Sequence, residues 1–143
     1  MKKCLIILVF ILFAGSIITG CTGRSNASGV DVDLTKLSIT MRDAELQRIF
    51  LDSDRYMGKT IKATGSYDPV IRYADDIVHN IVIIQGDECC QLGFEFQRTG
   101  DYIFPDDYPE KDATIELTGK LGRYEDAGMS FLYLSVTELN VLN

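Results

Sequence analysis

The chain has 143 residues, 46% of them apolar, with 14 Lys+Arg against 21 Asp+Glu and a formal charge of −7. That length allows one domain with a real core. That charge repels phosphate backbones and anionic headgroups, so it argues against nucleic acid as a partner and against a basic membrane-binding patch.

Met1-Lys2-Lys3 is a short basic start, an apolar run from Leu5 to Ala14 follows, and Ile18-Thr19-Gly20-Cys21 closes it. This layout predicts a secretory signal peptide over residues 1–20. Gly15 and Ser16 interrupt the apolar stretch, which falls short of the roughly 20 residues of a membrane span. An aliphatic residue, two small residues and a cysteine resemble a bacterial lipobox. The resemblance implies that Cys21 is lipidated, palmitate being the usual acyl group, and becomes the new N-terminus. The protein is then expected to be extracytoplasmic and lipid-anchored to the bacterial cell membrane. Without the leader, 123 residues remain and the formal charge becomes −9.

The next residues are small and polar, without periodicity, and predict a flexible tether over 21–38. The folded domain is expected over 39–143. Residues 40–57 read as a helix. Thr40 and Asp43 form a start signal, Leu46, Ile49, Phe50, Tyr56 and Met57 recur at helical spacing, and Gly58 is a stop. After Gly58 the period changes to 2, and Lys59–Tyr67 reads as a strand. Further strands are predicted over Ile77–Gln85, Cys90–Arg98, Ala113–Tyr124 and Phe131–Val141. In these, Leu92, Phe94 and Phe96 share one face, and Leu132, Leu134 and Val136 another. Residues 99–112 hold Gly100, Pro105, Pro109 and several acids and read as a loop, and Glu125–Ser130 reads as a turn through Gly128.

Residues 59–65 and 113–119 share the pattern Thr-Ile-x-x-Thr-Gly. Each supplies an apolar face and then a glycine where a strand must bend. Five such strands and no chain left for a second sheet predict a mainly β fold, a five-stranded OB-like barrel preceded by one N-terminal helix. A half-sandwich or an SH3-like barrel is the alternative.

A helix leading into Tyr56-Met-Gly-Lys-Thr-Ile-Lys-Ala-Thr-Gly65, then Cys89-Cys-Gln-Leu-Gly-Phe-Glu-Phe96, then Ile115-Glu-Leu-Thr-Gly119 resembles small uncharacterised bacterial envelope lipoproteins with an OB-like, tRNA-anticodon-binding-like domain. The resemblance spans about residues 40–142. It implies fold and location and supplies no activity.

Cys89 and Cys90 admit three readings: one thiol in the core and one at the surface, a vicinal disulfide, or a thiolate metal site. A hairpin about Asp87 places Gln85 opposite Cys89 and His79 opposite Glu95, too far along the strand for His79 to join both cysteines on one ion. The ligand face of an OB barrel is its second and third strands with two flanking loops, here residues 68–76 and 124–130. These carry Tyr73, Asp75, Asp76, Tyr124, Glu125 and Asp126, the predicted ligand-binding residues. An acidic mouth with tyrosines suits a cation, a basic peptide or a sugar, whereas a single-strand binder wants the opposite charge. No Gly-x-Ser-x-Gly elbow, His-Glu-x-x-His, phosphate loop or dinucleotide fingerprint occurs in the sequence. The sequence therefore predicts no catalytic residues, no cofactor and no enzyme. It predicts a binding or accessory module whose partners are the membrane, through its lipid, and a protein or envelope component. Metal handling by Cys89/Cys90 or the loop carboxylates is the alternative.

Overall fold

The computed structural model describes residues 29–71, 77–85 and 91–142. Its elements are β1 (Val32–Asp33), a 3₁₀ turn (Leu34–Lys36), α1 (Ile39–Leu51), a second 3₁₀ turn (Ser53–Tyr56), β2 (Thr60–Ile71), β3 (Val78–Gln85), β4 (Leu92–Arg98), β5 (Thr114–Asp126) and β6 (Met129–Val141). They form one six-stranded sheet in the order β1-β2-β3-β4-β6-β5, and β5 returns to pair with β2. Five strands thus close into a ring, with β1 outside it. All ring pairs are antiparallel except β4–β6, which is parallel from Glu95↔Tyr133 to Arg98↔Val136.

The two echoed segments meet each other at the closure. Ile61 pairs with Gly119, and Gly65 pairs with Ile115. Each glycine therefore lies across from the other segment's isoleucine. Their third residues, Lys62 and Glu116, bond at 2.9 Å. That bond is the main reason the Lys62 ammonium is held above its ordinary range. The glycines are needed for space rather than for unusual torsions. A Cβ at Gly65 would lie 2.3 Å from the Ile83 carbonyl oxygen, and one at Gly93 would lie 2.0 Å from that of Val82. No side chain fits at those distances.

The inward positions alternate as β-strands require. Ile61, Ala63 and Tyr67 of β2, Val82 and Ile84 of β3, Phe94 and Phe96 of β4, Ile115, Leu117 and Leu121 of β5, and Leu134 and Val136 of β6 build one core. Leu46 and Ile49 of α1 belong to it as well. The helix ends six residues earlier than the sequence suggests, at Leu51. Asp52, Ser53 and Asp54 compete with helical backbone bonds, and the chain continues to Tyr56 as a 3₁₀ turn. Tyr56 still reaches back, and its hydroxyl donates to Glu45 at 2.8 Å.

The flexible tether expected over 21–38 does not reach residue 38, because residues from Val30 on are packed. Val30 and Leu34 are buried, and β1 pairs with β2 through Val32↔Ile61 and Asp33↔Lys62. Asp31 clasps the start of β2 twice. Its N–H donates to the Thr60 carbonyl at 2.9 Å, and its carboxylate accepts from the Thr60 N–H at 2.8 Å. Apolar residues at 30, 32, 34 and 37 give this segment something to bury. Residues 21–28, and the leader expected over 1–20, lie outside the described residues.

Residues 99–113 connect β4 to β5 without regular structure, as expected, and supply Tyr108 to the core. Its ring lies 6.5 Å from both Tyr67 and Phe96. Tyr67 is fully buried, and its hydroxyl donates to the Asn80 side-chain oxygen at 2.6 Å. Burial, aided by Tyr108 and Asp68, pushes this phenol from 10.0 up to about 12.

Gly93→Ala should cost about 3 kcal/mol through backbone displacement. Gly128→Ala, strained at φ +78 with open space around it, should cost only about 1 kcal/mol. Urea unfolding measures both, and equal costs would refute the close-approach argument. For Tyr67, the folded chain keeps its proton after the unfolded chain has released it. Its stabilisation is whole below pH 10 and drains as pH rises toward 12. Tyr67→Phe should flatten that alkaline loss by up to ~1.4 kcal/mol per pH unit. At neutral pH it should cost about 1–3 kcal/mol by orphaning Asn80. An unchanged alkaline slope would show that Tyr67 titrates like an exposed phenol.

Candidate functional site

The outward positions of β3, β4, β5 and β6 carry a polar and aromatic cluster. Asn80 and Val82 point inward, so His79 and Ile81 point out. Phe94 and Phe96 point inward, so Gly93 and Glu95 point out. Glu95 is the centre. Its Oε1 lies 3.0 Å from His79 Nδ1, and its Oε2 accepts from the Tyr124 hydroxyl at 2.6 Å. The His79 and Glu95 side chains are 13% and 15% exposed, so the pair is sheltered yet reachable. A carboxylate that accepts at Oε1 selects the imidazole tautomer with its proton on Nδ1.

The strands explain the meeting. Glu95 pairs with Ile81, so His79 lies two positions along β3, on the same face and diagonal to Glu95. The hairpin register inferred from sequence is therefore offset by two. Gln85, expected opposite Cys89, pairs with Leu92, past an irregularity between Ile83 and Gln85. An offset of two preserves the face, which is why His79 and Glu95 still meet.

Tyr124 arrives from β5. Its ring stacks on Phe131 at 5.4 Å and 20° and meets Tyr133 edge-on at 6.0 Å. Gly122 makes room for this, since a Cβ there would lie 2.7 Å from the Tyr133 ring. Sequence reasoning places residues 124–130 in a loop, and the structure corrects that. Tyr124 pairs with Phe131, Glu125 with Ser130 and Asp126 with Met129. Only Ala127 and Gly128, at φ 49 and 78, form the turn, whose two positive φ values match the strand twist.

A cleft of about 710 Å³ opens over this face. His79, Ile81, Gly93 and Glu95 line it from β3 and β4, and Arg123, Ser130, Phe131 and Leu132 from the β5–β6 hairpin. Val70 of β2 and Phe50 and Ser53 beside the end of α1 complete it. Phe50 stacks on the buried Phe94 at 5.2 Å and 14°, tying the wall to the core. Arg123 donates to Asp54 and to the Ser53 hydroxyl, both at 2.7 Å, and so clasps β5 to the 3₁₀ turn.

Of the predicted site residues, Tyr124 joins the cluster. Glu125 and Asp126 sit beside it on the hairpin and are not among the cleft-lining residues. Tyr73, Asp75, Asp76, Cys89, Cys90 and Cys21 lie outside the described residues. Among the described residues, no group of three or more His, Cys, Asp or Glu is placed to hold a metal ion. Sequence reasoning missed Glu95, Arg123 and Phe131 as site residues. The available signal was strand alternation, which puts Glu95 between two inward phenylalanines.

The Glu95–Tyr124 bond should be energetically coupled. In a double-mutant cycle of Glu95→Gln and Tyr124→Phe, the coupling should be about 1–2 kcal/mol. Additive losses would mean the bond contributes nothing. No protein-family model matches the chain, and no curated protein matches it.

Proposed function

We propose that the chain is a lipid-anchored extracytoplasmic binding module whose ring of strands is an OB-like barrel. The strand order supports the barrel reading. β6 enters between β4 and β5, making a Greek-key ring with one parallel pair. The leader and Cys21 support the anchor. The module recognises a protein or envelope component through the outer face of β3 and β4, without chemical turnover. Its charge of −7 turns it away from nucleic acid.

The cleft is the observation that carries this reading. It is concave, largely apolar in its walls, and provided with a few convergent polar groups on a rigid sheet, the usual make-up of a binding site. Those groups come from separate strands, and Glu95 holds them together.

A photo-crosslinking amino acid in the full chain tests this in bacterial cells. Placed at Phe131 it should give a discrete adduct in the membrane fraction, whereas at Lys120, a solvent-exposed position, it should give none. Cys21→Ser should release both chain and adduct from that fraction. Equal labelling at 131 and 120 would overturn the binding face. Retention of the Cys21→Ser chain in the membrane would overturn the anchor.

A further inference from the structure

We infer that the loop between β4 and β5 docks into a protein partner whose apolar pocket is rimmed by lysine or arginine. The loop's residues do not line the cleft on the β3–β4 face, so this surface goes beyond the reading above. Tyr102, Ile103, Phe104 and Pro105 are all exposed, Ile103 at 68%. Single apolar side chains scattered over a surface are ordinary, but four in succession are not. The loop holds them in place. The Arg98 guanidinium lies 3.5 Å from the centre of the Tyr102 ring. The Ile103 N–H donates to the Asp107 carboxylate at 2.8 Å, and the Asp107 N–H donates back to the Ile103 carbonyl at 2.9 Å. The Tyr108 N–H donates to the Pro105 carbonyl at 3.0 Å. The Phe104 ring lies 6.0 Å from that of Tyr108, which packs on Tyr67 and Phe96. The apolar run is thus tied to the core through backbone and ring contacts, and docking it costs little ordering entropy.

Charge names the occupant. Asp101 and Asp106 bracket the run, and both are exposed. Asp107, Glu110 and Asp112 follow, against Arg98 and Lys111, and Lys111 already faces Asp68 at 2.8 Å. A bilayer would take the apolar run, but its anionic headgroups would meet both flanking carboxylates. A second copy of the chain brings the same sign, −7 over its length. A protein pocket with a basic rim meets both features at once, apolar against residues 102–105 and cationic against residues 101 and 106.

The test places a photo-crosslinking residue at Ile103 of the full chain, in cells of its own source, and reads the mass of the adduct. One discrete protein adduct, differing in mass from a doubled chain, is expected. Asp101→Asn with Asp106→Asn should reduce it about fivefold. Asp52→Asn with Glu138→Gln, two exposed acids elsewhere, removes the same charge and should change nothing. Salt gives the same reading without a substitution, because raising KCl from about 0.05 to about 0.5 M over isolated envelopes should cut the yield severalfold. A lipid adduct would overturn the inference in favour of the membrane, and a doubled chain in favour of self-association. Absence of any adduct would overturn it outright. A protein adduct indifferent to salt and to both loop carboxylates would overturn the basic rim, and equal loss in the two double variants would reduce the effect to bulk charge. Labelling at position 131 without labelling at 103 would leave the β3–β4 face standing and overturn this surface alone.

Discussion

Ring closure depends on the antiparallel pairing of Thr60–Ser66 with Thr114–Lys120. A sheet of five strands left open would present two hydrogen-bonding edges. Bending it far enough to join them needs places where the backbones come closer than a side chain permits. Gly65 and Gly119 supply them on the two strands being joined, and Gly93 does the same on β4. Once the ring is closed, the inward alternation of all five strands converges on a single core, and α1 and the loop carrying Tyr108 can pack against it. Remove the close approaches and neither packing surface exists.

The same curvature sets the outer face. Strand alternation decides which residues point outward, and register decides which of them meet. Glu95 reaches His79 along one diagonal and Tyr124 from the far side of β6, so three strands converge on one carboxylate. The aromatic stack of Tyr124 and Phe131 depends on the hairpin staying paired to its end. The Arg123 clasp then fixes the helix end against the hairpin. The site is thus a product of the sheet, with little contribution from flexible connections among its described residues.

Much of the fold was legible in the sequence because alternation is local. Phe94 and Phe96 announce an inward face whatever lies opposite them, and so do Leu134 and Val136. Register is not local. Nothing in the residue pattern marks that Glu95 pairs with Ile81, so the sequence alone puts His79 opposite Glu95 instead of diagonal to it. In the sequence, Gly128 and its acidic neighbours resemble a longer loop, although the β5–β6 turn needs only Ala127 and Gly128. β1 was missed for a related reason. A two-residue strand has no period, and its partner lies about thirty residues downstream. Glu95 is visible as an outward acid, but its role appears only when β3 beside it and β5 beyond β6 bring His79 and Tyr124 to it.

The place of β6 in the sheet has a consequence for how the chain acquires its structure. β6 follows β5 in the sequence, yet it lies between β4 and β5. Until it arrives, β4 has one partner fewer and β5 must hold its position through β2 alone. A chain delivered from its N-terminus therefore carries two unpaired strand edges until β6 has followed β5. The pairing that closes the ring also joins residues 48 to 60 positions apart, a separation that slows folding. Assembly thus waits for Met129–Val141, and losing that strand would leave a nearly complete sheet with open edges.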